Sequence, residues 1–285
     1  MLRTISYLLL FMCSITQALA LNMNIQTDEQ EKLAYVNLWG DIQFGDGEKF
    51  RSIVLPYIKA GYLIFEVNIF SNGGNVAAAM GIGEQIKTLQ TRTVTAYEEA
   101  IIVNNRKVAT GRTSCTFKES KQGYIQINNI VGAPYCNCAS ACFLIWASGA
   151  VREGGHVGIH RFSWDAREFS NLSVAEARAR YQAAQAAYNE FLKKLDVPQT
   201  ILDRLYATDS RSMYYLTWPE HQLMQSTPYV EELTLARCGP DRTEHMSARN
   251  KWTMTQDTEH VKCYRQILKE LFREGARNYQ AKYNR

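Results

Sequence analysis

The chain has no basic stripe. Its 32 Lys and Arg interleave with 28 Asp and Glu over 285 residues, for a formal net charge of +4. Nucleic-acid binding needs Lys and Arg gathered on one face or helix, so no such partner is indicated. Beyond the N-terminus no segment of the sequence is long and apolar enough to span a bilayer, which excludes a polytopic membrane protein. Internal repeats and low-complexity tracts are lacking as well. At 21% charged and 46% hydrophobic residues the chain can bury a real core, which excludes wholesale disorder. Its length excludes a small disulfide scaffold and leaves room for one large domain or two of ordinary size.

What is present begins with an N-terminal leader. Met1-Leu2-Arg3 is a short positive start, Ile5 to Ile15 is an apolar run, and Ala18-Leu19-Ala20 fits a small-x-small cleavage site. Residues 1–20 therefore read as a secretory signal peptide, too short in its apolar part for a transmembrane anchor. Cys13 lacks the preceding small residues that lipoprotein processing wants. The mature chain is expected to be soluble, outside the cytoplasm, with no stable membrane span.

Cysteine usage agrees with export. Six cysteines follow the leader: Cys115, Cys136, Cys138, Cys142, Cys238 and Cys263. In an oxidising compartment an even number reads as disulfides, although six cysteines allow fifteen pairings. Cys238 and Cys263, the only two in the C-terminal region, are expected to be joined. The pairing of the other four stays open. Cys136, Cys138 and Cys142 have spacing that could also hold zinc, but the compartment and the presence of Cys115 favour disulfides, and no metal site is assigned.

From Leu33 to Tyr97 the hydrophobic period switches regularly. Leu33–Leu38 and Leu63–Ile69 read as strands, Glu48–Ala60 and Val76–Leu89 as helices, and Thr91–Ala96 as a further strand. Strand and helix in alternation predict α/β layering with crossover connections. Residues 98–134 interrupt this order as a β-hairpin-like insertion. Ala139–Ala147 then reads as a buried helix and Val157–His160 as a short strand. Ser173-Val174-Ala175-Glu176 is a capping box that should start a helix running to about Leu195. Another helix should start at Pro198. Residues 231–285 form a polar, helical C-terminal extension, treated as an appendage to a domain over residues 21–230.

Three short motifs carry the chemistry. Ser71-Asn72-Gly73-Gly74 lies between a buried strand and a helix, where glycines can leave backbone N–H groups pointing outward; such donors stabilise the oxygen of a tetrahedral intermediate. Ser140 sits in Cys138-Ala139-Ser140-Ala141-Cys142 at the entry to the apolar helix. His160 ends the strand Val157-Gly158-Ile159. A serine hydroxyl is a poor nucleophile until a neighbouring imidazole takes its proton, so Ser140 and His160 together point to nucleophilic hydrolysis.

In this order and setting the motifs resemble the ClpP-like serine proteases of the ClpP/crotonase superfamily, from about Leu33 to Val230. Asn68 to Val76 resembles that family's oxyanion turn. Ala139-Ser140-Ala141 with Ala147-Ser148-Gly149-Ala150 resembles its nucleophile helix, and Val157–His160 its histidine strand. Tyr215-Leu216-Thr217-Trp218-Pro219-Glu220 resembles the segment after its catalytic Asp. The resemblance implies a spiral of repeated β-β-α units and a peptidase acting on a peptide or protein substrate. It also implies a possible homo-oligomer and needs no metal or organic cofactor. With the leader and the cysteines it suggests the secreted, bacterial periplasmic branch of the superfamily. It assigns Ser140 as nucleophile, His160 as general base, and Gly73, Gly74 and Ala141 to the oxyanion hole.

The sequence departs from the family at the acid. The spacing to Tyr215 places Met213 where the family has Asp, and a thioether cannot orient an imidazole. Asp209 is the nearest acid and is assigned the role, with Asp165 and Asp203 as competitors. A Ser/Lys dyad would need Lys193 or Lys194, since no lysine lies between Ser140 and Lys193. Acyl-CoA chemistry on the same fold fits poorly with export. The alternative function is a catalytically inactive binding or scaffolding protein that kept the fold.

Overall fold

The structure is a computed structural model. It describes residues 20–103, 106–114, 116–119, 123–126, 136–163, 170–240 and 254–284, with backbone alone over 97–126 and 254–257. The expected signal peptide up to residue 19 with its Cys13, and Cys115 and Asp165, lie outside the described residues.

The architecture is mixed α/β. The main sheet has the order β1 (Asn22–Asp28), β2 (Leu33–Trp39), β3 (Leu63–Phe70), β4 (Arg92–Val94), β10 (Val151–Glu153). Only β1 runs antiparallel to its neighbour; β2, β3, β4 and β10 pair in parallel. The crossovers are α1 (Asp46–Lys59) between β2 and β3, and α2 (Val76–Leu89) between β3 and β4. These elements follow the expected alternation closely. β2 is buried along nearly its whole length, as a central strand covered on both faces should be. Its polar residue is not orphaned: Asn37 donates to Asn24 Oδ1 at 2.8 Å and accepts from Asn68 at 3.0 Å, tying three strands through side chains.

A second, three-stranded sheet has the order β12 (Tyr214–Tyr215), β11 (Val157–Ile159), β9 (Cys138–Ala139). It stands at the C-terminal end of β3, because Ser71 bridges Cys138. Between the sheets α3 (Cys142–Trp146) is wholly buried. It is shorter than the expected helix over 139–147, whose first residues are instead strand β9 and a turn. The insertion contains two antiparallel pairs, β5 (Tyr97–Val103) with β6 (Arg106–Ser114) and β7 (Thr116–Glu119) with β8 (Gly123–Gln126).

The later helices are α4 (Val174–Lys193), α5 (Gln199–Ala207), α6 (Trp218–Gln222), α7 (Pro228–Cys238) and α8 (Met254–Tyr283). The capping box forms as expected: Glu176 N–H donates to Ser173 Oγ, and Ser173 N–H to Glu176. Pro198 is the N-cap of α5, one residue outside the helix. The C-terminal helix is more than an appendage. Ile267, Leu271, Phe272 and Tyr279 are buried, Phe272 packs edge-on against Phe65 of β3 at 5.5 Å, and Tyr279 donates to Gln85 of α2 at 2.6 Å. Gly275 makes this closeness possible, since a Cβ there would lie 1.9 Å from the Leu89 carbonyl oxygen. Among the described residues no helix is long and apolar enough to cross a membrane.

Two disulfides are present among the described pairs. Cys238–Cys263 joins α7 to α8, and Cys138–Cys142 closes a loop of five residues around Ser140. Cys136 is also disulfide-bonded. The thiols at 136, 138 and 142, which the zinc alternative would have needed, are thus all consumed.

Candidate active site

The site is built where the end of β3 meets β9. Ser71 N–H donates to the Asn137 carbonyl at 2.9 Å and Ala139 N–H donates to the Ser71 carbonyl at 2.9 Å, so the glycine turn and the nucleophile loop are fastened to each other by backbone. The next residue, Ser140, donates its N–H to Gly158 of β11 at 2.9 Å. Its φ is 58°, in the left-handed region that non-glycine residues rarely occupy. Such a conformation costs on the order of 1–3 kcal/mol and persists only where the surroundings enforce it. Here they do, with β9 on one side, the buried start of α3 on the other, and the Cys138–Cys142 disulfide spanning both.

The glycines act differently from one another. Gly73 (φ 107°) leaves space: a Cβ there would lie 2.7 Å from the Ser140 Cβ. Its own N–H donates to Ser71 Oγ at 3.0 Å, so Gly73 shapes the turn but supplies no donor to an oxyanion, which corrects its expected role. Gly74 (φ 133°) packs against Ile42, where a Cβ would lie 2.2 Å from the carbonyl oxygen. Neither the Gly74 N–H nor the Ala141 N–H is taken by an acceptor among the described residues. Both residues line the small cavity that also contains Ser140 and His160.

His160 follows directly on β11, one residue past the strand's end. Its Nε2 lies 2.7 Å from Ser140 Oγ, and its Nδ1 lies 2.7 Å from the Arg161 carbonyl oxygen. A carbonyl can only accept, so Nδ1 carries the proton and Nε2 is left to accept from the Ser140 hydroxyl. This is the tautomer that a general base for Ser140 requires.

The assigned acid stands one residue removed. Asp209 accepts from the Arg161 guanidinium at 2.5 Å and from the backbone and side chain of Arg211, each at 3.0 Å. These donors, the Arg211 N–H first, hold its carboxyl below the ordinary carboxylate range. No hydrogen bond joins Asp209 to His160, which corrects the sequence assignment. The aspartate can reach His160 only through Arg161, whose N–H is held by the Thr208 carbonyl at 3.0 Å. Met213 directly precedes β12, whose last pair with β11 is Ile159 with Tyr214, and its side chain lies over Gly158. Asp203 is occupied on α5, accepting from Gln199 at 2.8 Å. Lys193 and Lys194 are exposed, do not line the cavity, and pair with Glu190 and Glu84.

The residue that sequence reasoning missed is Arg161. Its contribution is a backbone carbonyl, which every residue type has, so no side-chain signal marks it. The apolar wall of the cavity, including Phe143, Leu144, Tyr188 and Leu205, was likewise unmarked. Neither a family model nor a curated protein sequence matches the chain.

Proposed function

We propose that this protein is an exported serine hydrolase of the ClpP-like type that cleaves peptide bonds through an acyl-enzyme on Ser140. The observation that carries the reading is the Ser140 Oγ to His160 Nε2 contact at 2.7 Å, with the imidazole tautomer fixed from its other side. Ser140 Oγ attacks the substrate carbonyl while His160 Nε2 takes the hydroxyl proton. The developing oxyanion accepts from the Gly74 and Ala141 N–H groups; one such donor is worth roughly 100- to 1000-fold in rate. The imidazolium then gives its proton to the leaving amine. Water hydrolyses the ester by the same route in reverse. The Arg161 carbonyl takes the orienting place that a carboxylate holds in a Ser-His-Asp triad. The disulfides support export into an oxidising compartment.

The second reading, a binding domain that kept the fold without catalysis, is favoured by Met213, whose thioether lies over Gly158 and gives His160 no carboxylate. Reaction with a fluorophosphonate separates the two, because it reports an activated serine without needing the substrate. Labelling of the oxidised wild type, lost in Ser140→Ala and His160→Ala, is the expected result. A folded wild type that takes no label would establish the second reading, and a label that survives Ser140→Ala would overturn the assignment of Ser140.

A further inference from the structure

We propose that the cavity beside Ser140 selects a small aliphatic side chain, of Ala to Val size, on the acyl side of the scissile bond. This rests on the serine-hydrolase reading above. The cavity contains Ser140, His160 and the two residues with unspent N–H groups, Gly74 and Ala141, so an acyl carbon bound at Ser140 directs its substituent into the same space. That space measures about 60 Å³. An apolar cavity of about 150 Å³ is what a benzene ring fills, so an aromatic substituent has less than half the room it needs, whereas a methyl to isopropyl group fits.

The walls cannot readily give way. Leu144, Ile159 and Leu205 are each 1% exposed and belong to the main core, and Tyr188 is 5% exposed. Core side chains at close-packed density move only when their neighbours do. Val76, at the first position of α2, also lines the cavity and is partly buried against the same core. Among the described residues the lining offers no carboxylate to receive a cationic side chain, and its guanidinium, Arg161, is already paired with Asp209. Size and charge thus agree on a short, uncharged substituent.

The test uses the oxidised full chain and diphenyl phosphonates bearing Ala, Val, Leu, Phe or Lys side chains, which react with an activated serine without needing deacylation. Fluorophosphonate labelling is run in parallel. The Ala and Val reagents are expected to react at least about tenfold faster than the Phe and Lys reagents, the scale on which a hydrophobic pocket discriminates by size. Leu205→Ala should move the optimum towards Leu and Phe. Val76→Phe, a change at a partly buried wall position, should lower the Val rate more than the Ala rate and serves if Leu205→Ala does not fold. Fluorophosphonate labelling with equal or faster reaction of the Phe or Lys reagent, or with no reaction of any phosphonate, would overturn the pocket assignment alone. Failure of the fluorophosphonate itself would overturn the hydrolase reading and the pocket with it.

Discussion

The two described disulfides do opposite jobs. Cys138–Cys142 spans four positions and encloses the proposed nucleophile, and both of its residues are fully buried. Cys238–Cys263 spans 25 positions and ties α7 to the long C-terminal helix, with Ser140 in neither element. By loop-closure entropy the short link stabilises by about 2 kcal/mol and the long one by about 3.5 kcal/mol. The shorter link is thus the weaker staple, yet it is the one beside the proposed nucleophile. Its consequence is geometric: it closes the short loop that carries Ser140 at φ 58° and Ala141. A disulfide's position relative to a strained residue can matter more than its loop length.

The sharpest test of that contrast is to remove each link in turn. Cys138→Ala with Cys142→Ala should lower the fluorophosphonate labelling rate by roughly 100-fold, as expected when one oxyanion donor is misplaced, with only a modest fall in Tm. Cys238→Ala with Cys263→Ala should give the reverse: a labelling rate for folded protein within about twofold of wild type, and a loss of about 3.5 kcal/mol in urea unfolding. Equal rate losses in the two double variants would erase the distinction.

A smaller effect tests the scaffold behind the histidine strand. His221 is 5% exposed and packs at a right angle on Trp146. Burial pushes its pKa from the ordinary 6.5 down to about 4. The unfolded chain therefore takes up this proton before the folded one does. Stability attached to His221 is complete above pH 6.5 and is lost as the pH falls towards 4, by up to about 3 kcal/mol. Chemical denaturation at pH 7, 5.5 and 4 measures this. His221→Phe should flatten the profile in that window.

The smallest effect is at Asp209. Because it holds Arg161 from the solvent side and does not touch His160, Asp209→Asn should slow labelling by at most about fivefold, as for an exposed ion pair. A true triad aspartate changed to Asn costs about 10⁴ in kcat. A loss of that size would return Asp209 to the role the sequence suggested.

Most of the layered fold was legible in the sequence, because hydrophobic period reports burial directly: β2, α1, β3 and α2 fall within two residues of where the pattern places them. Ser140, His160 and the glycine turn were legible because nucleophilic catalysis demands particular side chains at particular element ends. The orienting acceptor was not, because a backbone carbonyl leaves no trace in residue type. Nor was the burial of α8. Its apolar stripe, Leu268, Leu271, Phe272, Ala276 and Tyr279, lies among enough Lys, Arg and Glu that composition masks it. The difference between Gly73 and Gly74 is also invisible to sequence, since it depends on which N–H the Ser71 hydroxyl accepts.

The most direct test of the central claim is peptide mapping by mass spectrometry of the oxidised protein after reaction with a fluorophosphonate. The account predicts one adduct, on Ser140, formed rapidly by wild type and by Asp209→Asn and not by His160→Ala. An unmodified Ser140 in folded wild type, or an adduct of equal yield in His160→Ala, would contradict it.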